Sequence, residues 1–157
     1  MRNKTKSFIL LLALTLASSK ASCGEWNALP RGDKSPVVAA DSKNDDGGTL
    51  IIACNITTKI ISIRLEEPRA HWQAGTPMQW ITKADSGTAF VVSKGIVTAP
   101  TRIIVRAQSK LDILTMGQAK SFFIIDVGNY SRIFPATNYK DAVSSVLHAC
   151  GQHWLQS

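Results

Sequence analysis

The run Thr49-Leu50-Ile51-Ile52-Ala53-Cys54 constrains this chain more than any other stretch. It is short, apolar and rich in β-branched residues, which reads as a strand buried on both faces. Side chains alternate along a strand, so Leu50, Ile52 and Cys54 share one face. After the turn Asn55-Ile56-Thr57-Thr58, the segment Lys59 to Glu66 alternates. Ile61, Ile63 and Leu65 fall on one side and Ser62 and Arg64 on the other, the pattern of a half-buried strand in an antiparallel sheet. Near the other end, Ala142, Val143, Val146, Leu147 and Cys150 recur at helical spacing and form one apolar stripe. Asn138 reads as the cap of that helix, Asp141 favours its amino-terminal end, and Gly151 supplies the stop. If Cys54 and Cys150 are joined, one bridge ties the first half of the sheet to the terminal helix.

Three cysteines suit such a bridge only in an oxidising compartment, and the amino terminus points to one. Arg2, Lys4 and Lys6 precede the apolar core Phe8 to Ala17, which is too short to span a bilayer, and Ser19-Lys20-Ala21 fits a small-x-small cleavage site. Residues 1–21 therefore read as a signal peptide, leaving residues 22–157 as a single exported β-rich domain that is periplasmic or secreted. Cys23 would be the cysteine left over. A lipoprotein signal that acylates Cys23 would want a branched apolar residue where Lys20 stands. Cleavage removes Arg2, Lys4, Lys6 and Lys20, so 18 basic residues against 11 acidic become 14 against 11, and the formal charge falls from +7 to +3. The remaining Lys and Arg are scattered without a basic stripe, which argues against a nucleic-acid partner. Arg64, Lys83, Arg102, Arg106 and Lys120 interrupt every later apolar run, so no membrane span is expected.

Residues 22–48 read as a loosely structured leader, with Trp26 packed back on the domain and one short edge strand, Pro36 to Ala40. Within that leader Arg31-Gly32-Asp33 reads as a solvated turn, and the sequons at Asn55 and Asn129 as chance. Asp45-Asp46-Gly47-Gly48 is a turn signal. Met78 to Lys83 and Thr88 to Ser93 form a hairpin around Asp85-Ser86-Gly87. Pro100 opens a short middle helix over Thr101 to Lys110, since Pro suits a first helical turn. Leu111 to Thr115 then pairs with Ala119 to Val127 around Met116-Gly117, and Ser121 to Val127 is a central strand. Gly128 to Thr137 is irregular.

No stretch carries a nucleophile elbow, a phosphate loop or a visible pair of catalytic carboxylates. Catalytic residues and cofactors are therefore expected to be absent. His148, Cys150 and His153 have metal-ligand character, but a disulfide at Cys150 removes the thiolate, so no metal site is expected. Loop aromatics are candidates for a partner surface: His71, Trp72, Tyr130 and Phe134 foremost, with Tyr139 and Trp154 beside them.

Four segments occur together in small exported bacterial proteins. They are Leu50-Ile51-Ile52-Ala53-Cys54, the alternating Lys59 to Leu65, the hydrophobic Phe122 to Val127, and Ala142 to Trp154 with its Ala149-Cys150-Gly151. On these the chain resembles the invasion-associated locus B type of periplasmic protein, and the type VI secretion-associated periplasmic proteins that share the layout. The resemblance covers Trp26 to Trp154. It implies an antiparallel β-sandwich-like domain with Cys54 bridged to Cys150, and a periplasmic role without known catalysis. The function expected is that of a non-enzymatic accessory or binding protein of the bacterial envelope, linked to secretion or host invasion, with a protein partner. Two alternatives stand beside it. One is a secreted inhibitor of a foreign lysozyme or protease, using a protruding loop from Glu66 to Trp72; the other is an envelope hydrolase.

Overall fold

A computed structural model describes residues 24–29, 35–87, 89–106 and 109–155. The signal peptide, Cys23 and Arg31-Gly32-Asp33 lie outside the described residues. The rest is mainly antiparallel β-structure. Its strands are β1 (Asn27–Leu29), β2 (Val37–Lys43), β3 (Thr49–Asn55), β4 (Ile60–Glu66), β5 (Pro77–Ala84), β6 (Phe90–Ala99), β7 (Arg102–Val105), β8 (Phe122–Val127) and β9 (Tyr130–Pro135), with helices α1 (Ser109–Gly117) and α2 (Tyr139–Ala149). All nine strands join in one sheet, in the order β1-β2-β3-β4-β7-β6-β5-β8-β9.

Alternation sets which face each strand buries. Leu50, Ile52 and Cys54 pair with Leu65, Ile63 and Ile61 across β3 and β4. Leu65 and Ile63 pair in turn with Ile103 and Val105 of β7. Trp80, Phe123, Ile125, Val127 and Phe134 continue this inward face on β5, β8 and β9. Both helices pack on it, α1 over β4, β5 and β6 and α2 over β1, β2 and β3. The sheet curls until its two ends meet around Trp26. The indole of Trp26 donates to the Pro135 carbonyl at 2.9 Å, and its amide to the Thr137 carbonyl at 3.2 Å. Tyr139 meets the same indole edge-on at 5.0 Å between ring centres.

Cys54 and Cys150 form a disulfide with Cα atoms 5.9 Å apart, and both cysteines are buried. The bridge fastens the end of α2 to β3. Ala142, Val143, Val146 and Leu147 lie against the sheet as the stripe predicts, and Gly151 leaves the helix with φ at 73°.

Six local expectations are corrected. Thr101 to Lys110 is not a helix: Arg102–Val105 is a strand, because its β-branched residues complete the row between β4 and β6. The middle helix comes later, at Ser109–Gly117, and takes in Leu111 to Thr115, which was expected as a strand. Its buried positions Ser109, Asp112, Ile113, Thr115 and Met116 have helical spacing, but three of them are polar and hide the stripe. Gly128 to Thr137 is not irregular, since Gly128 takes φ 57° in a tight turn and β9 pairs with β8 along its length. The leader contributes β1 and β2 to the sheet, and β2 is held on both sides by β1 and β3 rather than standing at the edge. Asn138 does precede α2, but with φ at 59° its side chain makes no capping hydrogen bond. Phe122–Val127 is an interior strand, second from the end of the sheet rather than at its centre.

Candidate functional site

Continuing the alternation of β4 by one more inward position leads past Ile61, Ile63 and Leu65 to Glu67. The same continuation on β9, outward from Phe134, leads to Arg132 and Tyr130. The two rows meet at one end of the sheet, where the chain leaves β2, β4 and β8 for its turns. Glu67 is completely buried, and its carboxylate accepts from Arg132 Nε at 2.5 Å and from the Arg69 amide at 3.2 Å. Arg132 is nearly buried too, with 11% of its side chain exposed. The hydrogen bond to Glu67, foremost, raises the Arg132 pKa above its already high ordinary value, while burial opposes this. Arg69 reaches the other way, donating to Asp46 Oδ1 and to the Asp46 carbonyl, each at 3.1 Å. Gly48 makes room for the cluster: a Cβ there would stand 3.2 Å from Asn44 Oδ1 and 3.4 Å from Glu67 Oε2.

Two aromatic rings lie on this ionic base. The Arg132 guanidinium stacks over Tyr130, 5.4 Å from the ring centre. Trp72 meets Tyr130 edge-on at 5.5 Å. Each is pinned through a backbone group, since the Tyr130 hydroxyl donates to the Arg69 carbonyl at 2.8 Å and the Trp72 amide to the Pro100 carbonyl at 2.8 Å. The outcome is a half-buried aromatic pair held rigidly over an ion cluster in which Arg69 and Arg132 balance Asp46 and Glu67. Its carboxylates are engaged by guanidinium and amide groups, so the arrangement presents a surface and offers no poised base.

Of the four residues expected at a partner surface, Trp72 and Tyr130 are brought together. His71 is exposed beside Trp72. Phe134 is not at a surface at all. It is fully buried, with its ring 6.1 Å from Phe123, because its position on β9 faces inward. Tyr139 is likewise core, and burial pushes its phenol pKa well above the ordinary value. Glu67 and Arg132, 65 positions apart, were not singled out in the sequence. The available signal was the alternation itself, which places both on inward rows beyond the last apolar residue.

A second buried polar group lies on α1. Asp112 on α1 is completely buried, accepting from the Thr82 hydroxyl at 2.6 Å and the Ser93 hydroxyl at 2.5 Å. Thr82 in turn accepts from the Trp80 indole at 2.9 Å. Burial raises the Asp112 pKa above the ordinary carboxylate value, against the opposing pull of these donors. The network lies between α1 and the inward face of β5 and β6, and it joins helix to sheet.

At the end of α2, the His148 and His153 rings lie 5.2 Å apart, and Cys150 is engaged in the disulfide. Among the described residues, no three His, Cys, Asp or Glu gather as a metal site, and no helix is long and apolar enough to cross a membrane. No family model, curated protein or solved structure matches the chain.

Proposed function

We propose that the chain is a non-enzymatic accessory or binding protein of the bacterial envelope, periplasmic or secreted, that engages a protein partner with its Trp72–Tyr130 end. The observation that carries this reading is the aromatic pair fixed over the Glu67–Arg132 ion pair. Rigid Trp and Tyr side chains with an Arg beside them are the residue types that dominate binding energy at protein interfaces. Immobilising them in advance lowers the entropy lost on association. The disulfide supports an oxidising compartment. An inhibitory finger is less well supported, because the loop from Glu66 to Trp72 is tied down. Ala70 is fully buried, and the amides of Glu67, Ala70 and Trp72 all donate to backbone carbonyls.

The test is site-specific photo-crosslinking from position 71, exposed beside Trp72, in cells that export the chain. A discrete protein adduct is expected, absent when Tyr130→Ala is introduced and absent from a probe at Lys94 on the outward face of β6. Adducts of the same pattern from both positions, or none from position 71, would contradict the reading.

A further inference from the structure

The opposite end of β8 from Tyr130 holds a different kind of surface. There α1 ends, β8 begins, and the C-terminal segment folds back to form a cleft of about 470 Å³. Its walls include Gly117, Ala119, Lys120, Lys140, Trp154 and Leu155. The segment is seated closely on α1, since a Cβ at Gly117 would fall 2.7 Å from Leu155 Cδ2. That contact, impossible for any larger residue without displacement, fixes the apolar wall of Trp154 and Leu155.

The charged wall is fixed as well. Asp85 accepts from the amides of Lys120 and Ser121, each at 2.7 Å, and from that of Phe122 at 3.4 Å. These bonds, that of the Lys120 amide foremost, hold the Asp85 carboxyl below its ordinary pKa and hold the backbone that carries Lys120. Lys140 comes from the first turn of α2. Among the described residues no carboxylate lines the cleft and neither Lys120 nor Lys140 forms an ion pair, although the charge of Lys120 also helps to lower the Asp85 pKa. A third cation, Lys110, stands over the Trp154 ring, 5.6 Å from its centre. Asp141 follows Lys140 in the same helical turn, and it is not part of the lining.

Two lysines outside any ion pair, on a lining that also carries indole and leucine, are complementary to a small dianion with a flat apolar body. We propose that this cleft is a binding site for such a ligand, an aryl phosphate monoester being the simplest representative. The lysines would take the doubly charged head, and Trp154 with Leu155 the apolar body. A cleft of this size falls in the range of small-ligand sites, roughly 300–1,000 Å³.

The probe is 1-naphthyl phosphate, titrated calorimetrically into the non-reduced protein, with 1-naphthol and inorganic phosphate as the half-ligands. Saturable one-to-one binding is expected, at least tenfold tighter than either half-ligand. It should weaken with added salt, and at least tenfold in Lys120→Gln and in Lys140→Gln. Lys94→Gln, an exposed lysine on the outward face of β6, should bind as the unaltered protein does. Equal affinity in the Lys120→Gln/Lys140→Gln double variant would overturn the proposal. So would naphthol binding as tightly as its phosphate, or no saturable binding at all.

Discussion

The two helices lie on the same inward face of the sheet, yet they are fastened to it by opposite chemistry. α2 is held to β3 by a covalent bond, Cys54 to Cys150, in the half formed by β1 to β4. α1 is held to β5 and β6 by Asp112, a buried carboxylate that accepts from the Thr82 and Ser93 hydroxyls. The first fastening is indifferent to pH and vulnerable to reduction. The second is indifferent to reduction and sensitive to pH. The two fastenings fail under different conditions, and the helices share one buried link, the hydrogen bond from the Tyr139 hydroxyl to the Ile113 carbonyl at 3.0 Å.

The largest effect should come from the covalent half. The disulfide closes a loop of 96 residues, for which chain entropy gives about 4–5 kcal/mol as an upper estimate. Cys54→Ser and Cys150→Ser should therefore lose similar and large amounts in urea unfolding, with the double variant little worse than either. Unequal losses would mean that one cysteine contributes mainly through packing.

The ion pair at the aromatic end comes next. Arg132→Met leaves Glu67 charged and buried, and loss of one partner from a buried pair costs about 3–5 kcal/mol. Glu67→Gln/Arg132→Met should recover part of that loss. If the double variant is as unstable as the single one, burial of an unpaired charge is not the cause.

Asp112→Ala strips Thr82 and Ser93 of their acceptor and should cost about 1–3 kcal/mol for each donor left unsatisfied. Asp112→Asn sharpens the comparison through pH. Because the folded-state pKa of Asp112 is raised, the folded protein takes up a proton at a higher pH than the unfolded chain, whose carboxyl titrates near about 3.9. The cost of the ionised form is thus absent below the unfolded pKa and fully present above the folded one. Relative to Asp112→Asn, the unaltered protein should gain stability as pH falls through that window. A difference that is flat with pH would show that Asp112 does not titrate differently on folding. The smallest effect is expected from Trp72→Ala. Losing the edge contact with Tyr130 removes about 0.5–1.5 kcal/mol beyond the lost burial, while photo-crosslinking from a neighbouring position should be abolished.

The legibility of the two fastenings differed as much as their chemistry. Cysteine announces a bridge, and the stripe Ala142 to Cys150 shows its period because each of its members is apolar. β4 shows its alternation for the same reason, and β3 shows as an unbroken apolar run. α1 did not show, because Ser109 and Asp112 occupy buried positions that a sequence reading assigns to solvent. Over Thr101 to Lys110, Pro100 suits a helical start, whereas the β-branched Ile103, Ile104 and Val105 follow the neighbouring strands. At the candidate site, Trp72 and Tyr130 were singled out as loop aromatics. The ion pair that positions them was not, since local pattern does not bring residues 67 and 132 together. Phe134 was misplaced because its strand, broken in pattern by the exposed Ile133 and by Pro135, read as a loop.

Amide hydrogen exchange, followed separately in the two helices, tests the central comparison most directly. Reduction at neutral pH should accelerate exchange over Tyr139–Ala149 well before Ser109–Gly117, and Asp112→Ala in the oxidised protein should do the reverse. If both helices lose protection together under each perturbation, they are not independently fastened, and the account of two separate anchors is wrong.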